Sequence, residues 1–436
     1  MNTPLQYRPE GRSAAAIAES VEAALRTGRI GAGDALPPVR TLAQDLGVSP
    51  TTVAAAYREL RRRGIVAGAG RAGTRVRGRP PLASRMPLPV PAGVRDLVSG
   101  GPDPDLLPAL PRVVTLTRRY GEAAVLPALE RAAADRLAAD GVDPAHLAVV
   151  GGALDGVERV LGVWLRVGDR VAVEDPGYSA VLDLVAAMGL VAVPVPVDGA
   201  GMDPAGLAAA LEAGARAVVV TPRAQNPTGA AWDASRAEEI GAVVRRYPDA
   251  VLVEDDHAGP VAGVPALTAA RGARRWATVR SVSKWLGPDL RLAVLAADEA
   301  TASAVAGRQA LGTGWVSHLL QQAVATLWTD PAIETVLERA TATYERRRSA
   351  LRAALAADGI AVGGRSGLTT WVPVPDEAGV TAGLLAAGWA VVPGERFRLV
   401  SRPAIRIAHA TLQPPEAAVL AGDLGRLLRQ RRVRTD

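Results

Sequence analysis

The chain has 436 residues, 49% of them apolar and 22% charged, with a net charge of +6; this length predicts about three domains of roughly 150 residues each, and the apolar share excludes wholesale disorder. With no cysteine, a disulfide scaffold, a thiol nucleophile, zinc fingers and iron–sulfur clusters are excluded. Pro, Gly or charge interrupts each long apolar run, the first residues lack the apolar core of a signal peptide, and a soluble cytoplasmic protein is expected.

Charge concentrates at the start of the chain. Residues 1–80 hold 13 Arg against six acids, a balance of +7, which leaves −1 for everything after them. A basic module favours a polyanion partner, although an Arg-rich solvated face has the same composition. Patterning favours the module. Ser13–Arg26 predicts a helix, with Ile17, Val21, Ala24 and Leu25 at helical spacing behind a capping Ser. Pro37-Pro38 precedes a short helix over Val39–Leu46, closed by Gly47. Ser49 caps a third helix running to about Arg63, with Val53, Ala56, Tyr57 and Leu60 as its buried stripe. Two short helices joined by a Gly-containing turn make a helix-turn-helix. Ile65–Ala67 and Thr74–Val76 then read as a small hairpin, or wing, tipped by Gly70-Arg71-Ala72-Gly73.

The run GDALPPVRTLAQDLGVSPTTVAAAYRELRRRGIV, followed by GRAGTRV, resembles the GntR-type winged helix over nearly its whole length. The resemblance implies double-stranded DNA as a partner, approached by Arg40, Thr51, Thr52 and the wing residue Arg71. Threonines at the start of the third helix suit phosphates or base edges, and Arg40 suits the backbone. Members of that family often carry Arg where this chain has Pro50 and Ala54. Bidentate guanine readout from those two positions is therefore lost.

A winged helix over residues 1–77 is followed by a proline-rich linker over 78–95, GRPPLASRMPLPVPAGVR, whose five prolines predict a semi-rigid spacer. From residue 96 to 436 short apolar runs alternate with helical segments. Candidate strands are 147–150, 170–174, 191–197, 217–221, 251–254, 278–281 and 291–296. Helices are expected between most of them, at 154–165, 179–188, 204–213 and 234–247. This pattern predicts an α/β body with a large, mostly parallel sheet covered by helices on both faces. Residues from about 333 to 436, with a long Arg-rich helix and strands at 369–374, 390–393 and 405–409, predict a smaller α+β subdomain.

Within that body lies Lys284, the one lysine among 50 basic side chains. A position that needs only positive charge tolerates Arg, but a guanidinium does no ordinary amine chemistry. Ligands in such folds bind at the loops after sheet strands, and several polar signals fall there. Gly151-Gly152-Ala153 opens a helix and suits a phosphate, though a tight turn has the same sequence. Tyr178 lies in EDPGY, Asn226 in QNPTG, Asp255 in EDDH, and Lys284 in SVSK, with Arg291 seven residues on. Farther on, Arg406 lies in AIRI. Some of these admit a plainer reading: Tyr178 as core, Arg406 as a surface strand residue, and Glu254–Asp256 with His257 as a metal cluster. The four histidines, His146, His257, His318 and His409, never fall at metal-ligand spacing on one helix, and no metal is expected.

In this order the set resembles the fold type I pyridoxal-phosphate enzymes of the aspartate aminotransferase group, over roughly residues 97–430. The resemblance implies pyridoxal 5′-phosphate, with Lys284 as the catalytic amine that joins its aldehyde. Asp255 would pair with the ring nitrogen, Asn226 with the ring oxygen, and Tyr178 would stack on the ring. Ser281, Arg291 and the amides of Gly152 and Ala153 would hold the phosphate, Tyr120 would reach the phosphate of a partner subunit, and Arg406 would grip a substrate carboxylate. His257 stands where that group usually has a Tyr bonded to the ring oxygen, and Leu154 replaces a common polar residue.

A winged helix, a proline-bearing linker and such a body together resemble the MocR family of bacterial transcription regulators. The stretches PRAQNPTG, EDDH and RSVSKWLGPDLRLA are most similar to its PtsJ-type branch, linked to vitamin B6 metabolism. The resemblance implies a homodimer and control of DNA binding by pyridoxal 5′-phosphate, alone or with an amino compound; the interrupted apolar runs predict no membrane partner. The sequence also fits an active aminotransferase carrying a DNA-binding module, or a module that uses the cofactor only structurally.

Overall fold

The computed structural model describes residues 7–26, 29–31, 33–62, 65–68, 73–76, 90–111, 116 and 118–435. The chain divides into two compact units, one of Met1–Arg85 with Leu165–Val171 and Asp183–Ala192, the other of Met86–Trp164, Ala172–Leu182 and Val193–Asp436.

The amino-terminal part has helices Ala14–Arg26, Val39–Leu46 and Pro50–Arg62. Ser13 Oγ accepts from Ala16 N at 3.2 Å and Ser49 Oγ from Thr52 N at 3.1 Å, so each Ser satisfies an amide that the helix itself leaves without a partner. The second helix ends where Gly47 turns left-handed at φ 61. Ile17, Val21, Leu42, Val53, Tyr57 and Leu60 are buried against one another, each stabilising the packing by about 1.5–3 kcal/mol. Tyr57 Oη donates to Pro37 O at 2.8 Å, which ties the third helix to the proline pair. Val66–Gly68 pairs antiparallel with Thr74–Val76, and the latter also pairs with Ala35–Leu36. That third strand is not expected from the sequence, because two residues carry no period and their pairing partner lies about 40 residues away. Arg71 and residues 77–89 fall outside the described residues.

The large sheet has eight strands in the order Leu147–Val150, Ala293–Ala297, Trp276–Ser281, Val251–Asp256, Ala215–Val220, Arg170–Asp175, Val191–Asp198 and Gly201–Met202. Val251–Asp256 runs parallel to both of its neighbours, while Ala293–Ala297 runs antiparallel to both of its own. Val251–Asp256 and Trp276–Ser281 are fully buried, and Ala215–Val220 is buried except at Arg216, as two helical layers require. The strand expected from 291 begins only at Ala293, because Arg291 sits left-handed (φ 43) at the end of the 3-10 turn Pro288–Leu290.

The 27-residue helix Pro331–Ala357 leads into a three-stranded sheet of Thr369–Pro373, Ala404–Ala408 and Val392–Pro393, packed by helices Glu377–Ala386 and Pro414–Thr435. One strand expected over 390–393 divides in two. Trp389–Ala390 pairs with Arg95–Asp96, and Val392–Pro393 pairs with Ile405–Arg406.

Candidate functional site

The site is built from loops that follow buried strands. After Trp276–Ser281 the chain turns tightly, with Leu286 N donating to Val282 O at 2.8 Å. Trp285, 1% exposed, anchors this turn by donating Nε1 to Ser281 O at 2.8 Å. Lys284 is thereby aimed away from the core, and its Nζ donates to Gly100 O at 2.6 Å. A second loop carries Asn226. Gln225, fully buried, donates Nε2 to Glu174 Oε2 and Pro176 O at 3.1 and 2.9 Å and accepts from Thr228 N at 3.0 Å. Gly229 closes this loop at φ +71 against backbone: a Cβ there would lie 2.9 Å from Ser366 O, so no larger residue fits.

These loops meet at one cavity of about 360 Å³. Its walls include Ala153, Tyr178, Asn226, Asp255, His257, Ser281, Lys284, Arg291 and Arg406. Gly152 lies behind Arg291, whose Nη2 would stand 3.2 Å from a Cβ at that position. Two acceptors in the wall, Asn226 Oδ1 and Asp255 Oδ1, are buried and have no hydrogen-bond partner among the described residues, and the same holds for Arg406 Nε. Arg406 donates Nη2 to Val98 O and lies 4.7 Å from the centre of the Phe397 ring. Buried polar atoms are normally paired. Unpaired acceptors opposite an amine, beside two guanidinium groups and a helix start, form a donor and acceptor set for a small polar ring bearing an anion.

Tyr120 lies outside this cavity, 93% exposed and edge-on to Trp315 at 5.7 Å between ring centres. In the winged helix Arg40 and Thr51 are exposed and Thr52 is half-buried at the start of the third helix.

Comparison with known proteins gives the same two parts. Residues 13–76 match the bacterial regulatory proteins of the gntR family, and residues 105–424 match aminotransferase class I and II. The vitamin B6 salvage pathway transcriptional repressor PtsJ of Salmonella typhimurium is 40% identical over 428 residues, which span 96% of this chain and 99% of that protein. The chain belongs to the MocR family. Another relative, the probable rhizopine catabolism regulatory protein MocR of Rhizobium meliloti, is 27% identical over 76% of this chain and 74% of its own. An aspartate aminotransferase tetra mutant of Thermus thermophilus superposes with a TM-score of 0.65 at 25% identity, over 71% of this chain and 88% of that one. The MocR-family chain thus joins a GntR winged helix to a fold type I aminotransferase body.

Burial sets the charge states in this MocR-family cavity. Desolvation first, then the charges of Asp256 and Glu174, push Asp255 up to about 7 against the pull of Lys284. Lys284 moves the opposite way, down to about 8, because burial and then Arg406 disfavour its ammonium form. His257, part-buried in the wall, is lowered to about 4 mainly by desolvation and is neutral at pH 7. Burial also raises Glu174 to about 7. Asp256 behaves differently. Although burial opposes ionisation, Arg223 and Arg280 hold its carboxylate below the usual range. Arg223 reaches Asp256 at 2.8 Å and Arg280 reaches it at 2.7 Å.

Sequence reasoning missed several wall residues of the MocR-family site. Ser99, Gly100, Gly101, Ser283, Leu368 and Thr369 also line the cavity, as small or apolar residues with no chemical signature. The Glu174–Gln225 pair was signalled only by its place beside EDPGY and QNPTG.

Proposed function

We propose that this protein is a pyridoxal 5′-phosphate-responsive transcriptional regulator that binds DNA through its winged helix as a homodimer. One observation carries the reading: two buried acceptors without hydrogen-bond partners among the described residues, Asn226 Oδ1 and Asp255 Oδ1, share a cavity with the only lysine of the chain. The residues fit the cofactor. When bound, it supplies an aldehyde for an amine and a ring that takes up electron density. Lys284 offers that amine, and its lowered pKa leaves a neutral, reactive fraction at pH 7. Asp255 holds a proton at the ring nitrogen, Asn226 orients the ring oxygen, Tyr178 covers the ring face, and neutral His257 adds a second polar group beside the ring. Ser281, Arg291 and the amides of Gly152 and Ala153 hold the phosphate, and exposed Tyr120 serves the phosphate site of a second copy. Arg406 takes the carboxylate of an amino compound. Arg40, Thr51, Thr52 and Arg71 approach DNA, and the two wings of the dimer span two half-sites. The 40% identity to a repressor named for vitamin B6 salvage supports genes of that class as targets.

An absorption spectrum of the purified protein with added pyridoxal 5′-phosphate tests this reading. The protein should show a visible band that borohydride removes, and Lys284→Ala should lose it completely. DNA affinity of the wild type should change by roughly 5–150-fold with the cofactor, the usual range of coupling between sites, and that of Lys284→Ala should not. A visible band that survives the substitution would exclude Lys284 as the attachment point. The retained amine and Arg406 favour a second reading, an active aminotransferase. It predicts sustained turnover of amino acids with DNA affinity indifferent to the cofactor.

A further inference from the structure

The stretch Leu97–Gly101 runs past the cavity and meets it with main-chain oxygens. Gly100 O accepts from Lys284 Nζ at 2.6 Å, and Val98 O accepts from Arg406 Nη2. Gly100 also lies close to the guanidinium, since a Cβ there would stand 3.5 Å from Arg406 Nη1. Its course is held from the other side. Asp96 Oδ1 accepts from Val98 N and Ser99 N at 2.7 and 3.2 Å, and Leu97 N donates to Ala390 O at 3.0 Å. Just upstream, Arg95 pairs with Glu416 at 2.8 Å. Beyond that the chain enters the proline-rich linker toward the winged helix.

Two of the three cationic groups lining the cavity, Lys284 and Arg406, are thus held by carbonyl oxygens of one short stretch, whereas Arg291 donates to Gly151 O. Arg406 is 6% exposed, so it requires an acceptor. A carbonyl fills that need, but a carboxylate fills it better, because it brings an opposite charge and can accept two parallel N–H bonds from the guanidinium. We propose that Leu97–Gly101 is an internal competitor for the ligand of this cavity. The carboxylate of a bound amine replaces Val98 O on Arg406 and frees the stretch that leads to the linker. The Lys284–Gly100 bond is the second restraint on it from the cavity, while Leu97 is anchored separately, its N donating to Ala390 O and its O accepting from Ala408 N. This inference rests on the cofactor reading above and goes beyond it, because it names the group that gives way when a carboxylate enters.

Amide hydrogen exchange of the full-length wild type, read by mass spectrometry on peptides covering residues 95–101, provides the test. Four amines are added with pyridoxal 5′-phosphate in matched pairs, L-alanine against ethylamine and 4-aminobutanoate against propylamine, while the visible spectrum reports cofactor occupancy. Each pair shares the amine and differs by the carboxylate. At least one carboxylate-bearing amine should speed exchange of residues 97–101 about tenfold or more over its partner. Equal exchange within both pairs overturns the proposal, and so does a cofactor band that none of the four amines alters. The absence of any band with the cofactor alone instead refutes the underlying cofactor reading, and with it this one.

Discussion

Lys284 places an amine against Arg406 in a largely desolvated wall, where its charged form is disfavoured. The shift from 10.5 to about 8 corresponds to a penalty of about 3 kcal/mol at most on the folded ammonium. A base with a depressed folded pKa lowers stability fully while pH is below that value. The loss shrinks between about 8 and 10.5 and vanishes above. Lys284→Met should therefore stabilise the ligand-free protein by about 1–3 kcal/mol at pH 7, with the gain shrinking by pH 10; urea unfolding at the two pH values measures this. The position was legible in the sequence because composition isolated it. Val98 and Gly100 were not, because they act through carbonyl oxygens that every residue possesses.

The strand Val251–Asp256 shows how one element serves two purposes. Asp255 lines the cavity with an oxygen that has no hydrogen-bond partner among the described residues, whereas its neighbour Asp256 binds Arg223 and Arg280 within the buried structure. Asp256→Asn leaves two buried guanidinium groups short of their shared counter-charge. It should cost about 3–5 kcal/mol, the usual result of breaking a buried pair, read as a lower midpoint in thermal or chemical unfolding. Sequence pattern located this strand because an apolar run before EDDH marks a buried parallel strand, although its end was expected at Glu254. It missed Ala35–Leu36, Arg95–Asp96 and the division at Val391. Those pairings join residues far apart in sequence, and two-residue strands have no period to read.

At the scale of the whole molecule, the +7 of the first 80 residues and the −1 of the remainder divide the chemistry as the two parts do. DNA binding should therefore follow salt through the winged helix. If Arg40 meets a phosphate, Arg40→Ala should lower the slope of log K against log salt by about 0.9 and weaken all DNA sequences alike; titrations at several salt concentrations decide it. The winged helix and the body were both readable from sequence because each carries several motifs in fixed order. Among 436 residues there is one ε-amine, held to Gly100 O and lowered to about 8. An amine-selective acylating reagent at neutral pH consequently has one side chain to find, besides the chain terminus. Its stoichiometric uptake, and protection from it by an occupant of the cavity, make the protein its own single-site occupancy probe.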